Sequence, residues 1–248
     1  MKGKDVLNIL ARSVLGLYIL DDRPDDISLS NMIKQSLNII AKFPTIVAYS
    51  YQAMRHLYKG KTLSIRHPQQ GITPAENFLY LIKGESKGYS KLEADLLDLM
   101  LVLHAEHGGG NNSTFTMRVT SSSETDIYSA VTSAIGSLKG PLHGGANVRV
   151  LEMMENIKAN IKDWTSEAEV EEYLLKILNK KANDLSGKIY GIGHAVYTIS
   201  DPRAGILKAK ARELAIEKGR LDEFELYSLV ERITPEVFRV FKGEKSTK

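Results

Sequence analysis

The stretch ETDIYSAVTSAIGSLKGPLHGGANVRVLEMMENIKANI, Glu124 to Ile161, holds two repeating patterns separated by a turn. Ile127, Val131, Ile135 and Leu138 recur every three or four residues, and Val150, Met154, Ile157 and Ile161 repeat the spacing downstream. Each set occupies one face of a helix. Between them Gly140, Pro141, Gly144 and Gly145 supply the residues that interrupt a helix and turn the chain. Leu92, Leu96, Leu99, Met100 and Leu103 carry the same period upstream, while strand alternation bounded by hairpin turns is scarce. The fold class is therefore all-α. The pattern predicts helices over residues 4–19, 28–41, 44–58, 74–82, 90–106, 113–122, 124–138, 144–161, 166–181, 201–217 and 222–239. Pro44 and Pro202 suit first-turn positions, where the missing N–H costs nothing. Helix 124–138 carries Ser129, Ala130, Ser133, Ala134 and Gly136, small residues that let a second backbone approach closely. Two readings of that face stand open: an interior helix and a subunit interface.

Composition bounds the function. A chain of 248 residues with 43% hydrophobic and 25% charged residues is long and apolar enough to bury a core, which excludes disorder and low-complexity assembly. The formal net charge of +3 comes without a long Lys/Arg run, so no nucleic-acid partner is expected. Zero Cys excludes disulfides, thiolate nucleophiles and Cys-based metal centres, and fits a reducing, cytoplasmic setting. No apolar run approaches the roughly eighteen residues of a membrane span, and no signal-peptide cleavage site follows the N-terminus. Any imidazole chemistry rests on six His.

Some motifs imitate chemistry. Gly84-Glu85-Ser86-Lys87-Gly88 spells a nucleophile elbow and His107-Gly108-Gly109-Gly110 an oxyanion loop, but their order is reversed relative to a serine hydrolase. Gly60-Lys61-Thr62 ends like a phosphate-binding loop, yet Arg55 stands where its first glycine belongs. His104 and His107 have metal-ligand spacing without a third ligand nearby, and no metal is expected. Asn111-Asn112-Ser113-Thr114 holds two overlapping glycosylation sequons, silent in a cytoplasmic protein.

Three His share a setting: His107 before a triple glycine, His143 in Gly140-Pro141-Leu142-His143-Gly144-Gly145-Ala146-Asn147, and His194 in Gly191-Ile192-Gly193-His194-Ala195. Glycine lets backbone N–H groups approach a ligand, and an imidazole on such a turn can donate a hydrogen bond or carry a proton near neutral pH. Asp201-Pro202-Arg203 reads as an N-cap, a proline at the first helical position and a guanidinium beside free N–H groups. Arg203 alone reads equally as an Arg paired to a surface carboxylate. Three His and one Arg together suit a small carboxylate with an activatable carbonyl.

The segments Leu103 to Gly108, Asn112 to Phe115, Leu138 to Asn147 and Gly191 to Tyr197, with Asp201-Pro202-Arg203 and Pro74 to Leu79, resemble the citrate synthase family in order and spacing over essentially the whole chain. The resemblance implies an all-α homodimer with a large and a small helical domain. Residues 1–143 would be part of the large domain, incomplete at its N-terminus, and 144–248 the small one, without the C-terminal part of the large domain. It implies condensation of acetyl-CoA or propionyl-CoA with oxaloacetate, acyl-CoA serving as co-substrate with no permanently bound cofactor. By resemblance His107 and Arg203 bind oxaloacetate, His194 hydrogen-bonds its keto oxygen, and His143 stabilises the acyl-CoA enol. The loop containing Lys188, Ile189, Gly191 and Gly193 would read the adenine of CoA through its backbone. Ala195 and Thr198 stand where the family often has basic residues. The family's aspartate base and two further arginines fall in a segment with no counterpart in this chain, so the expectation is a chain inactive by itself. Against this stand a non-catalytic protein of the same fold that holds a dicarboxylate or CoA and, more distantly, a hydrolase using His104, His107 and another His.

Overall fold

The computed structural model describes residues 3–84, 88–105, 108–193 and 201–246, with 244–246 described by their backbone alone. Among the described residues it contains ten α-helices and no strand. The helices are α1 Val6–Gly16, α2 Leu29–Lys59, α3 Pro74–Lys83, α4 Lys91–Leu103, α5 Asn112–Ser121, α6 Ile127–Lys139, α7 Ala146–Asn160, α8 Glu167–Leu178, α9 Pro202–Glu217 and α10 Leu221–Ser246. A 3-10 turn, Leu17–Leu20, extends α1. None of these helices is long and apolar enough to cross a membrane. The chain divides into two compact units, Met1–Gly144 and Gly145–Lys248.

In the first unit, α6 packs against both α1 and α5. Leu10, Val14 and Ile135 form one buried cluster, and Ile39, Ile127 and Tyr128 another. Part of the small-residue face of α6 is used here: Ala130 is buried and Ser133 Oγ lies 2.9 Å from Thr120 Oγ1 of α5, while beside them Thr132 Oγ1 donates to the Ala11 carbonyl of α1. That part of the face is interior. Gly136, by contrast, is exposed, and a Cβ there would meet open space.

The sequence predicts two helices, 28–41 and 44–58, broken before Pro44; the structure has one, α2, running through Pro44. Proline leaves the carbonyl of Ile40 without its helical donor, but Ile40 is 67% exposed, so water can reach that region. Phe43, Ile46 and Val47 on either side pack against the Leu10–Val14–Ile135 cluster, contacts that favour continuation of the helix through the proline. Helices α3 and α4 begin at full capping boxes, Thr73 with Glu76 and Ser90 with Glu93, each satisfying two N–H groups. Glu93 also pairs with Lys83, linking the end of α3 to the start of α4.

Among the described residues, the second unit has a single core. Met153, Met154 and Ile157 of α7, Val170, Leu174 and Ile177 of α8, and Leu226, Val230, Ile233 and Val237 of α10 pack together with Ile189. Fully burying each such side chain contributes about 1.5–3 kcal/mol. α9 differs: none of its residues is buried, and Ile206 and Ile216 remain exposed. α10 begins at Leu221 as predicted within a residue but runs to Ser246 rather than 239. Inside it Thr234, fully buried, donates its hydroxyl to the Val230 carbonyl at 2.5 Å, one turn before Pro235 leaves the Glu231 carbonyl without a backbone donor.

One carboxylate organises the α1–α2 connection. Asp21 Oδ2 accepts from the Tyr128 hydroxyl at 2.6 Å and from Gln35 Nε2 at 2.9 Å, and Oδ1 accepts from the Arg23 N–H at 2.9 Å. Gln35 is buried on α2 and Tyr128 on α6, so the loop is pinned to both helices. The Tyr128 hydroxyl, then the Arg23 amide and Gln35, hold the Asp21 carboxyl below its ordinary range, while burial first and Asp21 second raise the Tyr128 phenol. A depressed folded-state pKa means stabilisation that is present above the unfolded value, about 4, and lost as pH falls through the folded one. Tyr128→Phe is expected to destabilise the protein by about 1–2 kcal/mol near neutral pH and to flatten this acid dependence. Thermal unfolding followed from pH 7 down to pH 3 measures both.

Candidate functional site

The residues singled out in the sequence fall in both units. In the first, α6 ends at Lys139 and the chain folds back on it: the His143 N–H donates to the Gly140 carbonyl and the Gly144 N–H to the Leu138 carbonyl, each at 3.0 Å. The second bond returns the chain across the helix end, satisfying a carbonyl that the helix leaves open. A Cβ at position 144 would lie 2.1 Å from the Leu138 carbonyl oxygen, so only glycine fits this turn.

α5 starts beside the same turn. The Asn111 side chain caps it, accepting from the N–H groups of Ser113 at 2.9 Å and Thr114 at 3.3 Å. Asn112 Nδ2 reaches across to Ser137 Oγ of α6 at 2.6 Å. Ser113 Oγ then stands 2.9 Å from His143 Nε2. Two ties thus join the first turn of α5 to the end of α6, and the second grips the imidazole. His143 is half-buried, and its Nδ1 has no hydrogen-bond partner among the described residues. The role of Ser113 is absent from the sequence reading; thirty residues separate it from His143, and no local pattern joins them.

His107 lies outside the described residues. The glycines after it are described: Gly108 has φ +70°, and the guanidinium of Arg118 approaches Gly109 so closely that a Cβ there would stand 3.1 Å from Nη1. His104 Nδ1 donates to the Met100 carbonyl at 2.7 Å, which makes it a helix-end residue of α4.

In the second unit, the loop Lys188 to Gly193 is fixed from below. Ile189 is buried in the core, so it offers a ligand only its backbone. The Tyr190 N–H donates to Met153 Sδ at 3.3 Å, and its hydroxyl donates to Asp184 Oδ2 at 2.6 Å. Tyr190 and Ser186 hold the Asp184 carboxyl down at about 2. Gly191 has φ +82°, and a Cβ there would press within 2.9 Å of Val150 Cγ2; at Gly193, φ +92°, a Cβ would meet nothing. Lys188 is exposed. His194 lies outside the described residues.

Asp201 caps α9, accepting the Arg203 N–H at 2.9 Å, with Pro202 in the first helical position as the sequence predicts. The same carboxylate holds the guanidinium: Arg203 Nε donates to Oδ1 at 3.0 Å and Nη2 to Oδ2 at 2.6 Å. The guanidinium is thus paired to a carboxylate two residues away. An open cleft of about 1310 Å³ lies in this unit, bordered by Gly191, Gly193, Asp201 and Ala204 on one side and Leu229 and Arg232 of α10 on the other. Arg203 is not in its lining among the described residues.

Gly144→Ala is expected to cost about 1–3 kcal/mol, since the backbone must shift or the carbonyl lose its donor. Chemical denaturation measures the loss, and an unchanged midpoint would show that the turn rearranges freely.

Residues 2–246 match the family profile described as citrate synthase, C-terminal domain. The citrate synthase of Deinococcus radiodurans is 37% identical over 232 residues, covering 94% of this chain and 56% of that protein. The 2-methylcitrate synthase of Shewanella oneidensis is 36% identical over 204 residues, covering 82% of this chain and 49% of that one. The citrate synthase of Thermoplasma acidophilum, solved as a ternary complex with carboxymethyl coenzyme A and oxaloacetate, shares the fold with a TM-score of 0.72 at 23% identity, covering 96% of this chain and 57% of that one. The chain spans about half the length of the curated relatives it matches. With a profile match over nearly all of its residues, the chain belongs to the citrate synthase family.

Proposed function

We propose that this chain serves the condensation of an acyl-CoA, acetyl or propionyl, with oxaloacetate, with His143 as the group that stabilises the enol. The observation that carries this reading is the 2.9 Å contact between Ser113 Oγ and His143 Nε2. A hydroxyl that donates to Nε2 leaves the proton on Nδ1, aimed as a donor. The α-proton of a thioester is weakly acidic, so its removal needs a donor already placed where the enol oxygen develops charge. The thioester α-carbon, having lost its proton to a base, attacks the keto carbon; the new carbon–carbon bond forms as the keto oxygen takes up a proton. Water then cleaves the thioester, releasing CoA as the thiol.

In this reading His194 polarises the keto oxygen, while His107 and Arg203 hold oxaloacetate. The backbone of Lys188, Ile189, Gly191 and Gly193 contacts the adenine of CoA. Support for the loop comes from its two positive-φ glycines and from the burial of Ile189, which together present backbone rather than side chain. CoA is a substrate and no permanent cofactor is needed. The cysteine-free composition favours the cytoplasm, and neither nucleic acid nor membrane is a proposed partner.

The test is calorimetric titration of oxaloacetate into the 248-residue chain. Binding is expected, and Arg203→Ala should weaken it by about 1.5–3 kcal/mol through lost charge-assisted hydrogen bonds. Equal binding by the variant would remove Arg203 from the site.

The homodimer is part of the same proposal, through α6 and α4. Gly136 of α6 faces outward with room around it, and Met100, Leu101 and Val102 of α4 are exposed apolar residues. Because a side chain at 136 meets nothing within its own chain, Gly136→Glu should fold yet sediment as a monomer. A folded Gly136→Glu dimer would place the interface elsewhere.

A further inference from the structure

Among the described contacts, the Asp201 carboxylate serves two groups. Oδ1 accepts the Arg203 N–H at 2.9 Å, which caps α9, and the two oxygens together take the Nε–Nη2 edge of the guanidinium, with Nε to Oδ1 at 3.0 Å, Nε to Oδ2 at 3.2 Å and Nη2 to Oδ2 at 2.6 Å. The pair is partly shielded from solvent: the side chains of Arg203 and Asp201 are 22% and 27% exposed. Capping alone needs one acceptor oxygen and no charge, and asparagine caps as well as aspartate. The second oxygen and the negative charge serve the guanidinium.

The position matters because α9 buries none of its residues, so packing does little to fix the end of the helix that carries Arg203. An arginine side chain has many rotamers to lose on binding, and one already held in place loses fewer when a ligand arrives. We propose that Asp201 is a positioning residue for substrate binding: by gripping one edge of Arg203 it aims the guanidinium at the carboxylate of oxaloacetate. The proposal rests on the reading of Arg203 as a substrate-binding residue. It assigns Asp201 no contact with the substrate, and its negative charge, taken alone, would oppose a dicarboxylate. Orientation therefore has to outweigh repulsion, which is the quantity an experiment can read.

Asp201→Asn separates the two duties, because it keeps the cap and removes the charged grip. In the 248-residue chain it should leave the thermal midpoint where it is, weaken oxaloacetate binding about fivefold or more in calorimetric titration, and speed solvent exchange of the Arg203 Nε–H followed by NMR. Asp201→Ala should lose the cap as well and lower the midpoint. Unchanged or tighter oxaloacetate binding by Asp201→Asn, with Arg203→Ala still defective, would overturn the positioning role and leave the reading of Arg203 intact. Weakening by Asp201→Asn that merely follows a lowered midpoint, with Nε–H exchange unaltered, would also overturn it. No oxaloacetate binding by the unaltered chain would overturn both.

Discussion

The bond from the Gly144 N–H to the Leu138 carbonyl is the constraint on which the candidate chemistry of the first unit depends. It turns the chain back over the end of α6 in five residues, and the turn closes only because position 144 has no Cβ. His143 is the residue immediately before that closure, so its backbone is fixed by the turn while its ring is fixed by Ser113. Neither restraint would aim the imidazole alone. Together they remove the freedoms that a catalytic donor must otherwise lose when substrate binds.

A comparable economy holds in the second unit. The loop from Lys188 to Gly193 has few side chains of its own to hold it, yet Ile189 is anchored in the core, the Tyr190 amide bonds to Met153 and its hydroxyl to Asp184. Ile189 and Tyr190 are held by the unit while Lys188 stays exposed, and the two positive-φ glycines leave backbone outward, the feature on which the proposed reading of the CoA adenine rests. At α9 the anchoring is electrostatic: a single aspartate caps the helix and holds the guanidinium, where the other helices of the unit rely on buried apolar faces.

The all-α class was legible because apolar residues keep the helical period over most of the chain, and the starts of α3, α7, α8 and α9 lie within two residues of where the sequence places them. Pro44 misled because a proline signals a start only when tertiary packing does not favour continuation; the apolar flank of Phe43, Ile46 and Val47 overrides it. The small residues of α6 left two readings open because pattern alone does not say which neighbour is close; part of that face meets α1 and α5, and Gly136 meets none. Of the candidate site, His143 and Arg203 were visible by their glycine, proline and aspartate neighbours. Their partners were less so: Ser113 lies far off in sequence, and the capping role of Asp201 masks its second duty. His107 and His194 lie outside the described residues.

In the proposed mechanism, Ser113 and the Gly140 to Gly144 turn hold His143 with its proton on Nδ1. Nitrogen-15 NMR of the imidazole reads this directly. In the unaltered chain with the ring neutral, Nδ1 should give a protonated, pyrrole-type signal and Nε2 an acceptor signal, and Ser113→Ala should move both toward the averaged values of a ring exchanging between tautomers. A proton found on Nε2, or tautomer signals indifferent to the loss of Ser113, would contradict the assignment of His143 as the enol-stabilising donor.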